Sequence, residues 1–282
     1  MNYQNRKIPE GINVSSEHPL KEFAILALIA VALVVLVVVI LSALAEHFVK
    51  YIPFKAEQAI AATMAKQLDD GEAKSPEQQE IQDYLQGLAN TLAVNQRLPK
   101  GMTITVHYID ESVVNAFATA GGHIVMYKGL LQEMPHENAL SMVMAHEIAH
   151  VKHRDPLVSL GRGLTVLLAM ASVAGVSDSS LFERFLGQAG LLTTLSFSRQ
   201  QEKAADLEAY STLREYYGHL QGAEALFEVL KSQEGSTKTP AFFTTHPLTS
   251  DRIETTKAFA ASIHPLEKVE LKKLPDFIER LK

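Results

Sequence analysis

From Phe23 to Ala45 the chain carries no charged residue, and Ser42 is the only hydroxyl in the run. As a helix rising about 1.5 Å per residue, this stretch reaches roughly 34 Å, enough to cross a bilayer core. The pattern predicts a transmembrane anchor at 23–45 behind an N-terminal tail, 1–22. A cleaved signal peptide is the first alternative, because Ala43-Leu44-Ala45 fits a small-x-small cleavage site. Against it, a signal core spans only about 7–15 residues and is not preceded by so long a polar leader. A helix buried in a soluble core is the second alternative.

Beyond the anchor the apolar positions alternate between helical and strand spacing. Helices are predicted over 56–68 and 76–92, the second with Ser75 as N-cap and Pro76 at its first position. Strand-like alternation covers 102–109, with shorter strands at 113–118 and 123–127 around Gly121-Gly122. From Glu137 onward the spacing is helical, over 137–153, 157–176, 200–217, 222–232 and 250–262. The GSTKTP segment, 235–240, reads as a loop. The apolar stretch 164–176 is too short to span a bilayer and reads as a core or interface-lying helix. The fold class is α+β, mainly α, with one small sheet. The globular part is assigned to 46–262, and 263–282 is read as a C-terminal tail.

Composition narrows the chemistry. The 282 residues contain no cysteine, which excludes disulfides, thiol nucleophiles and thiolate metal sites; any metal must be held by His, Asp or Glu. Arg6, Lys7 and Lys21 balance Glu10, Glu17 and Glu22, so the net charge of -6 falls on residues 46–282. An acidic domain without a basic run is a poor polyanion binder, and no nucleic-acid partner is expected. Three basic residues precede the anchor, whereas Lys50 and Lys55 follow it. The positive-inside rule therefore leans toward a cytoplasmic N-terminus with the rest of the chain outside.

Helix 137–153 carries His146-Glu147-Ile148-Ala149-His150. Residues four apart share a helical face, so two imidazoles can hold one Zn²⁺ while Glu147 reaches a metal-bound water. Chance yields this spacing about 0.03 times in a chain of this composition. Leu140, Val143, Met144, Ile148 and Val151 predict a buried stripe beside the histidines. A catalytic zinc site takes three protein ligands, so one more must come from elsewhere. In Ser198-Arg199-Gln200-Gln201-Glu202-Lys203-Ala204-Ala205-Asp206, Glu202 and Asp206 lie one turn apart among small alanines. Glu202 is the candidate third ligand and Asp206 the acceptor that orients a ligand imidazole. His153 shares a face with His146 but lies two turns away, beyond reach of a common ion; it reads as a helix C-terminal cation or a neighbour of Asp155. The other histidines, except His246, show no metal spacing.

These motifs, with Thr245-His246-Pro247…Arg252-Ile253 and Asn115-Ala116-Phe117-Ala118…Gly121-Gly122…Gly129-Leu130-Leu131, resemble the metallopeptidase family that includes HtpX-type membrane proteases and the CAAX prenyl endopeptidases. The resemblance covers residues 55–262. It implies a gluzincin endopeptidase fold with one zinc on His146, His150 and Glu202, acting on protein or peptide substrates. Zinc would lower the pKa of its bound water toward about 7, and Glu147 would take the proton and return it to the leaving amine. With a single anchor contacting lipid, the chain looks like the quality-control branch, a protease of unfolded or misassembled proteins in a bacterial inner membrane with its catalytic domain periplasmic. The resemblance further implies that Asn115–Ala118 form an edge against which substrate backbone pairs, and Asn115 is equally an ordinary turn residue. It also implies that the segment after the GSTKTP loop folds over the cleft. There Arg252 either pairs with Asp206 or stabilises the oxyanion, and His246, fixed in direction by Pro247, either donates to that oxyanion or occupies the open zinc position as a latch. A loop histidine and a solvated arginine are the plainer alternative for this pair. A non-enzymatic module on the same scaffold would have lost Glu147 or a ligand, and a structural zinc site would favour cysteine.

Overall fold

The structure, a computed structural model, describes residues 19–68, 74–174, 197–232 and 269–282, with positions 242, 246, 252, 254, 255, 258 and 259. The expected 250–262 helix is described at Arg252, Glu254, Thr255, Ala258 and Phe259, all helical. The rest of it, the GSTKTP loop and residues 1–18 lie outside the described residues.

The apolar run forms helix α1, Pro19–Phe48, longer than the run itself. Proline is tolerated in a first helical turn, where Glu22 also favours the positive end of the helix dipole. Within α1, Pro19–Leu41 is long and apolar enough to cross a membrane, and none of its most apolar window is buried. A core helix would be buried, so that alternative fails. A short 3₁₀ turn, Val49–Tyr51, leads into α2, Phe54–Leu68.

Helix α3, Pro76–Asn95, starts as the sequence predicts, with a reciprocal capping box between Ser75 and Gln78. It buries Ile81, Leu85, Leu88 and Leu92 against a three-stranded sheet and helix α5. The strands are β1, Thr105–Ile109, β2, Ala116–Thr119, and β3, His123–Tyr127, in the order β1-β3-β2. β1 runs parallel to β3 and β2 antiparallel to it. Both outer strands are shorter than expected. Pairing of β1 begins only where Thr105 N–H meets Gly122 C=O at 2.9 Å, and residues 113–115 fold into a turn closed by Asn115 N–H on Val113 C=O at 3.0 Å. Gly121 and Gly122 both take positive φ. A Cβ at Gly122 would stand 2.1 Å from Thr103 O, so only glycine fits. An unforeseen helix, α4, Lys128–Glu133, follows β3 and buries Gly129, Leu130 and Leu131.

Helix α5, Glu137–His153, matches its predicted bounds but not its predicted amphipathicity, because every residue from Glu137 to Val151 is buried. Helix α7, Arg199–Tyr217, α3, β2 and α8, Ala225–Ser232, all pack around it. Its first acidic residue is matched inside: Glu137 accepts from the hydroxyls of Tyr84 and Tyr217 at 2.8 and 2.9 Å and pairs with Lys272 at 2.8 Å. The segment 263–282 does not all trail free, since Leu274 and Ile278 enter the core beside α9, Asp276–Glu279.

Arg154 ends α5 in the left-handed conformation, at φ 63°, and turns the chain into α6, Asp155–Ala174. Its guanidinium Nε lies 2.7 Å from Glu57 Oε2 and another of its nitrogens donates to Val49 C=O at 3.0 Å. Glu57 accepts in turn from Gly121 N–H at 2.8 Å. One buried ion pair therefore joins the end of α5, the β2–β3 turn and the chain just after α1. The described part of the apolar stretch 164–176 is not core: Leu168 is 58% and Met170 66% exposed, and α6 packs against α1.

Candidate metal centre

Helix α5 brings His146, Glu147 and His150 to the start of α7, whose capping box (Ser198 with Gln201) fixes the turn carrying Glu202 and Asp206. His146 Nε2 and His150 Nε2 face each other at 3.1 Å. Glu202 approaches both, Oε2 at 3.5 Å from His146 Nε2 and Oε1 at 3.5 Å from His150 Nε2. His246 presents Nδ1 to the same point, 3.3 Å from His146 Nε2 and 3.0 Å from Glu202 Oε1. All four residues are buried, and their donor atoms lie within 4.8 Å of one another.

This arrangement fits a zinc ion. Bonds of about 2.0–2.1 Å in a tetrahedron place neighbouring donors about 3.3 Å apart, the spacing found here. The outer nitrogens fix the tautomers. His146 Nδ1 lies 2.9 Å from Asp206 Oδ1, and His150 Nδ1 lies 2.8 Å from Asp155 Oδ2. A carboxylate can only accept, so each Nδ1 carries the proton and each Nε2 turns a lone pair inward. Two lone pairs facing at 3.1 Å require a proton or a cation between them. The electrostatics agree. Burial depresses His146, but hydrogen bonds to Asp206 and Glu202 and their charges more than reverse this, raising it to about 10. His150 is likewise raised, burial being outweighed by Asp155 and Glu202. The carboxylates thus favour positive charge at the centre, which a divalent cation would supply. The donor set of three imidazoles and one carboxylate, without sulfur, suits zinc.

Arg252 is buried and doubly bonded to Asp206, Nε to Oδ2 and Nη2 to Oδ1, both at 2.8 Å. Its Nη1 also lies 2.7 Å from Glu202 Oε2, a contact the sequence does not announce. Asp206 is held below the usual carboxylate range by His146 and Arg252 against the opposing effect of burial. His153 stands apart, its Nε2 4.0 Å from Glu208. Glu147 is fully buried, neither oxygen has a hydrogen-bond partner among the described residues, and Oε1 lies 3.4 Å from His246 Nε2. Ala116, Phe117 and Ala118 lie in β2, an edge of the sheet, yet they and Asn115 are all buried. Asn115 Oδ1 has no hydrogen-bond partner among the described residues.

Three further residues escape the sequence reading. Asp155 orients His150 and is itself held by Gln201 Nε2 at 2.7 Å, so the cap of α7 braces the second imidazole. Its signal was available, since a ligand imidazole needs an outer acceptor and Asp155 follows the helix that carries it. Phe197 stacks on His150 with ring centroids 4.0 Å apart, and Phe242 on His246 at 4.6 Å. Nothing in their local spacing marks either ring.

Residues 75–260 match the sequence pattern of Peptidase family M48. The chain belongs to this family. It is 31% identical over 219 residues to Metalloprotease LoiP of Escherichia coli, covering 76% of this chain and 84% of that protein. Over 151 residues it is 31% identical to Mitochondrial metalloendopeptidase OMA1 of Schizosaccharomyces pombe, covering 52% of this chain and 44% of that protein. Beta-barrel assembly-enhancing protease of Escherichia coli is 30% identical over 179 residues, which is 56% of this chain and 34% of that protein. The chain thus spans less than half the length of the last two. Among the M48 residues, those holding the imidazoles from outside are the most direct to test. Asp155→Ala removes the acceptor for His150 Nδ1 and is expected to weaken zinc binding about 10–100-fold, measured by competition with a chelator. Wild-type zinc affinity in this variant would rule out the orienting role of Asp155.

Proposed function

We propose that this chain is a membrane-anchored zinc metalloendopeptidase hydrolysing peptide bonds of unfolded or misassembled proteins. The observation that carries the reading is Glu147, a buried carboxylate with neither oxygen hydrogen-bonded among the described residues, next to His146 and at the edge of a four-donor cluster. An unbonded buried carboxylate is costly unless a ligand or reactant meets it. His146, His150 and Glu202 would hold the zinc, which supplies Lewis acidity toward a water and the scissile carbonyl. Glu147 takes the proton as the water attacks and delivers it to the leaving amine. Asp206 and Asp155 keep both imidazoles oriented, and Arg252 fixes Asp206 and Glu202 as one unit. The substrate backbone pairs with β2 at Asn115–Ala118. Its edge position and the unbonded Asn115 amide oxygen support that role, and the burial of the strand means that its cover must first withdraw.

His246 acts as a latch. Its Nδ1 stands with the three other donors and its Nε2 faces Glu147, so the imidazole fills the space the water needs. Stacking by Phe242, whose N–H bonds Val114 C=O at 3.3 Å beside β2, ties the latch to the substrate edge. A strand entering along β2 therefore competes with the segment that carries His246. The charge asymmetry across α1 supports an inner-membrane location with the domain periplasmic.

Two variants test this reading with casein as substrate and metal analysis alongside. Glu147→Gln is expected to retain about one zinc per chain and to lose about 10²–10⁴-fold in turnover; cleavage at the wild-type rate would refute the base. His246→Ala is expected to leave turnover unchanged or raise it. A fall of roughly a hundredfold or more would instead make His246 an oxyanion donor.

A further inference from the structure

We infer that the C-terminal half of α6 is embedded in the bilayer beside α1, giving the protein a second lipid-contacting element that ends at the metal centre. The inference rests on the reading of α1 as the membrane anchor. Leu157 and Val158, in the first turns of α6, pack on Val49 just beyond the end of α1. The two helices are in contact, and with the start of α6 at the end of α1 we take α6 to run back along α1. Val34 and Val38, one turn apart on α1, are less exposed than their described neighbours, as residues covered by a second helix would be.

The level of the membrane surface is marked by rings. His47, Phe48 and Tyr51 cluster at the end of α1, with Phe48 56% and Tyr51 66% exposed. Exposed aromatic rings closing an apolar helix belong at the lipid–water boundary. Leu164 lies seven residues beyond Leu157, about 10 Å along α6. Residues 164–174 then extend roughly 15 Å further, half of a hydrocarbon core of about 30 Å. Arg162, the last charge, stands below this stretch at headgroup height, where a long basic side chain reaches polar surroundings.

The chemistry of the stretch is that of a lipid-facing helix. Residues 163–174 contain no charge, and Val166, Leu168 and Met170 are exposed. Two hydroxyls in this stretch bond inside the helix, Thr165 to Gly161 C=O at 2.9 Å and Ser172 to Leu168 C=O at 2.7 Å. Lipid demands such internal pairing; water does not. An apolar patch of this kind, continuous with the exposed apolar surface of α1, marks an interaction surface, and the neighbour at that height is the acyl chain region. Because α6 begins at Asp155, the carboxylate on His150, lipid contact at one end of the helix fixes the metal centre at the other. About nine residues separate the two, roughly 14 Å, which places the centre close to the headgroup layer.

The absence of cysteine allows a direct test in the full-length protein. Single-cysteine variants Val35→Cys, Val94→Cys, Val166→Cys and Met170→Cys are spin-labelled and reconstituted in phosphatidylcholine vesicles. Collision with oxygen, enriched in lipid, is compared with collision with a water-soluble nickel complex. Val35 on α1 reports the anchor, and Val94, 78% exposed on α3, reports water. The expected result is a lipid-like ratio at Val166 that rises further at Met170, one turn deeper. Equal ratios at the two positions would mean that α6 lies flat, and water-like ratios at both with a lipid-like Val35 would mean that it stays outside; either overturns the inference and leaves the anchor standing. A water-like ratio at Val35 as well would overturn the anchor and the inference together.

Discussion

Carrying two imidazoles and a carboxylate through the centre of a domain is the constraint that organises this molecule. His146, Glu147 and His150 sit on a helix with no solvent face, so each polar atom must find a partner inside. The outward nitrogens meet Asp206 and Asp155. Arg252 balances the charge of Asp206 from further out, and Gln201 donates a hydrogen bond to Asp155. Among the described residues, the inward nitrogens meet each other, Glu202 and His246. With the periphery satisfied in this way, the centre is suited to a cation. Glu147 is the exception, a buried carboxylate without a hydrogen-bond partner among the described residues, and it is there that the proposed chemistry puts the general base.

The rest of the architecture holds this arrangement in register. The capping box of α7 spends Ser198 and Gln201 on the helix start, yet Gln201 still reaches Asp155. Helix initiation and ligand orientation are therefore one event. Arg154 must take a left-handed turn to place Asp155 under His150. Its cost is offset by the ion pair with Glu57 and the carbonyl of Val49, which also tie the centre to the end of the apolar helix.

Much of this is legible in the sequence, for identifiable reasons. The bounds of α5 and the starts of α3 and α7 follow from caps and periodicity, which are local. The candidate ligands His146 and His150 follow from a four-residue spacing, and Glu202 with Asp206 from the same spacing in a second helix. Contacts set by tertiary approach are less readable. The full burial of α5 depends on Tyr84, Tyr217 and Lys272 reaching Glu137 from three distant segments. Phe197 and Phe242 look like any other aromatic residues until they stack on the imidazoles. The stretch 164–174 has the composition of a core helix and differs from one only in what stands beside it. Leu274 and Ile278 likewise look like part of a tail, because the groove they fill is built elsewhere.

The proposed centre has four protein donors in the resting protein, His246 among them. X-ray absorption at the zinc edge of the purified, substrate-free protein tests this most directly. Multiple scattering from imidazole rings distinguishes three histidines from two. The expected result is a four-coordinate shell of three imidazole nitrogens and one oxygen, with one ring lost in His246→Ala. A resting shell of two imidazoles with two or more oxygens, unchanged by that substitution, would contradict it.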